Sequence, residues 1–379
     1  MMEQVKFSGD KLLRYGYTTG SCAAAVSAAA TQMLLAGQPV ERVHLMTPKG
    51  IELDLTVEET AMTPHEVTCA IRKDGGDDPD TTHGLLIFAR VTKSTAPGVT
   101  IDGGTGVGRV TKPGLDQPVG SAAINSTPRR MIEENVLRVC RENAYDGGID
   151  VEIFVPEGEE TAKKTFNPHI GIVGGISILG TSGIVEPMSD RALIDATHVE
   201  LNVLRQSGCE DLLLTIGNYG DAFAGNSLNI DLSKRVKCSN FIGHTLDSAI
   251  ALGFKSLLLV GHIGKMVKLG AGIMNTHSHN ADARMDVLTT CALNCGVNVE
   301  ILKQIMGCAT TDAALDILAE AGILNETMAE LSRRIEKYLD RRLAGHIDYG
   351  AVVFTNSGGE PRVLCTCAGA DRLLEKWRI

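Results

Sequence analysis

Basic residues are the minority charge in this chain. The 36 lysines and arginines stand against 46 aspartates and glutamates, a net charge of −10, which argues against nucleic acid or an anionic membrane as the main partner. Any polyanionic ligand must then meet a local basic patch. No run of about 20 consecutive apolar residues occurs, so no spanning helix is expected. The 10 cysteines form no C-x-x-C pair, which speaks against a zinc ribbon or a thioredoxin motif. Cys365-Thr-Cys367 is the only close pair. Reduced, packed thiols in a cytoplasmic protein are expected. The chain has no G-x-x-x-x-G-K-[ST], and no G-x-G-x-x-G opens a βαβ unit; GGTGVG at 103–108 falls in a hairpin-like region. Internal repeats and low-complexity linkers are also missing.

What is present begins with YGYTTGSCAAAVSAAA at 15–30. A secretory leader needs an apolar stretch of about 7–15 residues, and here the longest apolar run is Cys22 to Val26. The segment reads instead as an alanine-rich helix. Thr19 or Ser21 would cap it, and Gly37 followed by Pro39 would end it. Its first turn carries backbone donors that favour an anion. The plainer alternative is tight packing on a sheet.

Alternating segments around Pro48-Lys49-Gly50 predict a β-hairpin. Further strands are expected at 66–73, 85–94 and 150–158, with a glycine-rich hairpin at 98–114 and a helix starting near Pro128. Together these predict an α+β domain over 1–165. Beyond it, 176–180, 211–217 and 256–262 are short, almost wholly apolar runs, as in parallel strands buried on both faces. Helical patterns fill 188–208, 239–253 and 281–295. This succession predicts a three-layer, doubly wound, Rossmann-like α/β domain over 166–345. Amphipathic helices occupy 300–345, and 346–379 reads as a hairpin and helix packing back on the body.

Ligands bind outside the carboxyl ends of strands in such sheets. The expected ends are Gly180-Thr181-Ser182-Gly183, Gly217-Asn218-Tyr219-Gly220 and Gly261-His262-Ile263-Gly264-Lys265. Their glycines let backbone N–H groups approach a nucleotide-like ligand. The densest polar set, Asn275 to Asp286, contains His277-x-His279 with Asp282; helix capping through Ser278 or Asn280 is favoured over metal ligation. Asp74, Asp77, Asp78 and Asp80 form a second polar knot, with a solvated turn as its plain reading.

These segments in combination, GYTTGSCAAA, KDGGDDPDTTHG, STPRRMI, ILGTSGIVEPMS, GNYG, KCSNFIGHTLDSAIALGF and LLLVGHIGKMVKLGAGIMNTHS, resemble the CbiD family of cobalt-precorrin-5B (C1)-methyltransferases. The resemblance covers about residues 14–290. It implies methyl transfer from S-adenosylmethionine to carbon 1 of the tetrapyrrole cobalt-precorrin-5B, in anaerobic cobalamin biosynthesis. It implies no catalytic residues, so roles follow from chemistry. The α/β domain would hold the cofactor at Gly180, Thr181, Ser182, Gly183, Gly217, Asn218, Gly261 and Gly264. Thr18, Thr19, Gly20, Ser21, Arg14, Arg129, Lys265 and Asn275 would face the polycarboxylate substrate. A bulky residue at Gly20 should therefore harm binding more than folding. His262, His277 and the Asp77/Asp78 pair are the candidate bases. No protein-bound metal is expected, cobalt arriving within the substrate. Homo-oligomerisation and transient contact with neighbouring pathway enzymes stay open. The competing readings are a non-catalytic corrinoid carrier and a nicotinamide-dependent oxidoreductase.

Overall fold

The computed structural model describes residues 5–8 and 11–378. The chain divides into two compact units, the first ending at Asp190 and the second starting at Arg191. The expected boundary near 165 therefore moves. Segment 158–170 folds into two short helices, Gly158–Ala162 and Asn167–Ile170, whose Ala162 and Asn167 are buried.

Helix α1, Thr19–Ala36, is the spine of the first unit. Thr18 rather than Thr19 or Ser21 caps it, its hydroxyl accepting from the Ser21 N–H, and Gly37 ends it in the left-handed conformation. It is long and apolar enough by composition to cross a membrane, yet 83% of it is buried inside the unit. Alanines at 23, 24, 25, 28, 29 and 30 hold its surface close to its neighbours. The reading as a tightly packed core helix is the one observed. The hairpin β1 (Arg42–Met46) and β2 (Glu52–Thr56) forms as expected. A five-stranded sheet follows from β3 (Glu58–Met62), β4 (Glu66–Arg72), β5 (Leu86–Ser94), β6 (Val99–Gly103) and β7 (Gly148–Phe154), in the order β3-β4-β5-β7-β6. Residues 98–114 do not make a hairpin: β6 pairs parallel with β7. Helix α2, Ser126–Glu142, packs on α1 through Pro128, Met131, Ile132, Val136 and Val139.

In the second unit, helix α3 (Asp190–Gln206) leads into β8 (Asp211–Thr215), α4 (Gly217–Asn226), β9 (Arg235–Lys237), α5 (Ile242–Leu252) and β10 (Ser256–His262). Helices α6 (Ile263–Leu269), α7 (Arg284–Asn294), α8 (Val299–Met306), α9 (Thr311–Glu320) and α10 (Leu324–Leu343) precede β11 (Asp348–Thr355), β12 (Arg362–Ala368) and α11 (Ala370–Trp377). The sheet order is β9-β8-β10-β11-β12, parallel except for β12. Side chains alternate between two buried faces. Leu212, Leu214, Leu257 and Leu259 join α5 and α6 on one, while Leu213, Leu258 and Val260 join α4 and α11 on the other. The 300–345 helices complete the first of these faces through Ile305, Leu315, Leu331, Ile335 and Leu339. Residues 346–379 are no appendage, because β11 is a central strand of the sheet.

Candidate active site

The chain leaves β8 toward β9 on one side and returns to β10 on the other, so the connections diverge between the carboxyl ends of β8 and β10. On open α/β sheets such a divergence is where ligands settle. Gly217 turns the end of β8 into α4 with φ +71°, a conformation that other residues adopt at a cost. A side chain there would come 3.6 Å from the Lys265 ammonium. Lys265 is half-buried and makes no hydrogen bond or ion pair among the described residues. Burial holds its pKa below the usual lysine range, against the opposing pull of the Cys238 thiol.

His262, at the end of β10, caps α6. Its Nδ1 accepts the Gly264 N–H at 3.1 Å, so the neutral ring carries its proton on Nε2. Burial lowers its pKa, opposed by the Asp312 carboxylate. Phe354 lies edge-on at 5.4 Å between ring centroids and Tyr219 at 6.1 Å. The Nδ1 lone pair being engaged, His262 offers a hydrogen-bond donor at Nε2 and not the general base expected of it. Thr355 at the end of β11 donates to Asp312 at 2.9 Å, bringing an acid to the same edge. Gly261 is a packing position, since a methyl group there would meet Met266 at 2.7 Å.

A charged cluster missed in the sequence flanks Gly217. Asp221 accepts from Thr215 Oγ1 at 2.5 Å and lies 3.0 Å from both Arg235 and Lys237. Lys237 also donates to Asn218 Oδ1 at 2.8 Å, fixing that side chain. Nearby Glu200 is pushed up to about 7, by burial first and by Asp221 in addition, with Arg235 and Lys237 opposing. Its folded carboxyl thus binds a proton that the unfolded chain has released between the ordinary carboxylate range and pH 7. This contribution to stability is present at low pH and lost as pH rises through about 7. Glu200→Gln should flatten that loss. Urea unfolding should find the variant more stable than the parent at pH 8, by up to about 3 kcal/mol, with the gap closing at pH 5. A gap independent of pH would contradict the assignment.

The loop after α6 is held by a buried lysine. Lys268 donates to the carbonyls of Thr276 at 3.0 Å and Ala281 at 2.7 Å. Asn275 Oδ1 accepts the His277 N–H, and His277 Nδ1 accepts the His279 N–H, in an exposed turn. Asp282 is engaged by Arg284. Neither Ser278 nor Asn280 caps α7, which starts at Arg284 after Ala283 without a side-chain cap.

The remaining expected residues lie in the first unit and serve its architecture. The donors of the first turn of α1 are taken from within the unit: Thr18 N–H goes to the Gly183 carbonyl, Gly20 N–H to that of Leu179, and Ser21 N–H to Thr18 Oγ1. Thr19 and Ser21 hydroxyls bind the carbonyls of Ser177 and Gly183. Residues 179–183 thus occupy the Thr18 and Gly20 donors, while Thr18 and Thr19 still line a cavity of about 270 Å³ with Lys73, Asp80 and Thr82. Gly180, Thr181, Ser182 and Gly183 lie in the first unit and end no strand of the second unit's sheet. Gly175–Ile176 pairs there with Gly106–Val107 and Ile178 bridges to Ile124, and the positive-φ Gly180 and Gly183 admit Thr18 and Thr47 to close range. Asp77 accepts the Arg14 N–H and Asp78 the Met188 N–H, so these carboxylates do not act as a pair. Arg14 forks onto Asp74 at 2.6 and 2.9 Å. Arg129 is directed at three carbonyls, those of Ile124, Ile101 and Ala122, and burial lowers its pKa.

A side chain at Gly20 would meet Pro128 at 2.7 Å and the Leu179 carbonyl at 3.1 Å. Gly20→Val should therefore destabilise the protein by about 1–3 kcal/mol through overpacking, the reverse of the binding-first effect expected from sequence. Thermal melts of the ligand-free protein would measure it, and an unchanged midpoint would restore the earlier reading.

A mixed, mostly parallel sheet flanked by helices, with a glycine-turned strand end beside Lys265 and His262, makes the second unit an α/β structure. The sequence profile of the CbiD family matches residues 6–187, and that of the CbiD C-terminal domain matches residues 275–361. A cobalt-precorrin-5B C(1)-methyltransferase of Ruminiclostridium cellulolyticum is 44% identical over 99% of this chain and 98% of its own length. Another from Photorhabdus laumondii is 47% identical over 83% and 82%. A crystal structure of an Archaeoglobus fulgidus cobalamin biosynthesis protein (cbiD) is 27% identical, with TM-score 0.39, covering 74% of this chain and 87% of that one. The chain belongs to the CbiD family.

Proposed function

We propose that the protein methylates carbon 1 of cobalt-precorrin-5B with S-adenosylmethionine, giving cobalt-precorrin-6A and S-adenosylhomocysteine in cobalamin biosynthesis. The observation that carries this reading is the similarity to named C(1)-methyltransferases along nearly the whole chain, both units included. The second unit, read as a doubly wound nucleotide-binding fold, has residues that suit the donor. Lys265 can pair with its carboxylate, the backbone around Gly217 and Asn218 can approach it closely, and His262 Nε2–H can donate to it. The sulfonium supplies a methyl group whose bond to sulfur breaks as the substrate carbon's electron pair forms the new bond, and the sulfur keeps the departing pair. The protein's part is alignment of the two reactants, which by itself lowers the barrier substantially. Ten free cysteines fit a reducing, cytoplasmic setting.

Mass spectrometry after anaerobic incubation with cobalt-precorrin-5B and methyl-labelled S-adenosylmethionine should find one labelled methyl group added, at carbon 1 by NMR. A tetrapyrrole that binds yet stays unmethylated would replace this reading with the carrier.

A further inference from the structure

One cavity of the first unit is lined by none of the site residues expected from sequence. It is an open groove of about 620 Å³ between α2 and the β1–β2 hairpin. Arg130, Arg138 and Arg141 line it together with Met46, Pro48 and Met131. At 100° per residue the three arginines fall within a stripe of about 80° on α2. Opposite them, Met46 is 60% exposed and gives the groove an apolar wall.

The arginines are only partly committed. Arg141 makes no ion pair among the described residues, Arg130 reaches Glu134 only at 3.9 Å, and Arg138 bonds Glu142 at 2.8 Å on its own helix. Pairs of this exposed i,i+4 kind contribute little and yield readily to a better anion. Guanidinium groups beside an apolar wall suit a flat molecule with a carboxylated rim, since each fork can take a carboxylate bidentately while the methionines and proline lie against the ring. The acids of the groove, Glu52 and Glu134, leave an excess of positive charge.

We infer that this groove is the tetrapyrrole-carboxylate docking surface of the first unit, in place of the start of α1. The inference rests on the proposed methyltransferase reading, and it names where that substrate is gripped.

The test compares the full-length protein with R130Q/R138Q/R141Q and with a control that loses the same charge elsewhere in the unit, K112Q/K163Q/K164Q. The binding probe is uroporphyrin III, a stable flat tetrapyrrole bearing acetate and propionate groups. Fluorescence titration at low and high salt should show the groove variant weaker by about 100-fold or more at low salt, with a shallower salt dependence. Its KM for cobalt-precorrin-5B should rise with kcat, S-adenosylmethionine affinity and melting temperature little changed, and the control should match the parent. Equal binding by parent and groove variant would overturn the groove and leave the methyltransferase reading standing. An equal loss in the control would also overturn it, by showing general charge attraction. A parent that neither binds the porphyrin nor methylates cobalt-precorrin-5B would overturn both.

Discussion

Asp80→Asn should destabilise the first unit by about 3–5 kcal/mol, a large fraction of the 5–15 kcal/mol typical of a folded domain. Asp80 lies 2.6 Å from the ammonium of Lys73, whose side chain is only 2% exposed, and it also accepts from Thr82 N–H and Oγ1. Burial alone would raise the Asp80 carboxyl; Lys73 and the Thr82 donors overcome that and hold it below the usual carboxylate range. Removing the charge leaves Lys73 buried without a counter-ion. Far-UV circular dichroism in urea should show an earlier transition, while the fluorescence of Trp377, the single tryptophan, reports the second unit. Because the folded pKa is depressed, the pair's stabilisation is present above the unfolded carboxylate pKa and is lost as pH falls through the folded one. The gap between parent and variant should therefore narrow below about pH 4. Lys73→Met/Asp80→Leu should recover most of the loss, since breaking one partner costs more than replacing both. A single variant that unfolds with the parent would place the pair in effective contact with water.

Local periodicity made much of this architecture legible. The segments 211–217 and 256–262 are apolar without alternation, and both become central parallel strands buried on two faces. The same signal failed at 176–180. That run, ISILG, is also apolar, but it makes only short parallel pairings in the first unit, with Val107 and Ile124, and then lies against the start of α1. Composition alone does not separate a buried strand from buried irregular chain. Residues 98–114 show the complementary failure, for β6 finds its partner about 50 residues away in β7, and a glycine-rich stretch carries no record of a distant parallel pairing.

The site divides along the same line. Glycines ending apolar runs could be read directly, and two of the three expected ends stand at the edge of one sheet. The α1 terminus misled because a helix start does not reveal whether its donors are already satisfied, and the chain that satisfies them arrives about 160 residues later. Glu200 and Asp221 were invisible for a related reason. Each is an acid within a helix, indistinguishable in sequence from a solvated position until the fold packs it beside Arg235 and Lys237.

Lys265→Gln should weaken S-adenosylmethionine binding by about 10- to 100-fold, the worth of one charge-assisted hydrogen bond of about 1.5–3 kcal/mol. The ammonium is half-buried beside Gly217 with no ion pair among the described residues, and the desolvation that lowers its pKa is a standing cost to the ligand-free protein. A carboxylate that arrives with the methyl donor would offset that cost, so loss of the charge should act mainly on binding. Calorimetry of S-adenosylmethionine with the variant should register the weakening, and kinetics should show a raised KM for the donor with kcat changed far less. Because neutral glutamine relieves a buried, unpaired charge, the ligand-free variant should be at least as stable as the parent in thermal melts. This joint outcome, tighter folding with weaker donor binding, separates a ligand-facing lysine from a structural one. Donor affinity unchanged by the substitution would remove Lys265 from the site and leave the Asp221, Arg235 and Lys237 cluster as the ground to search.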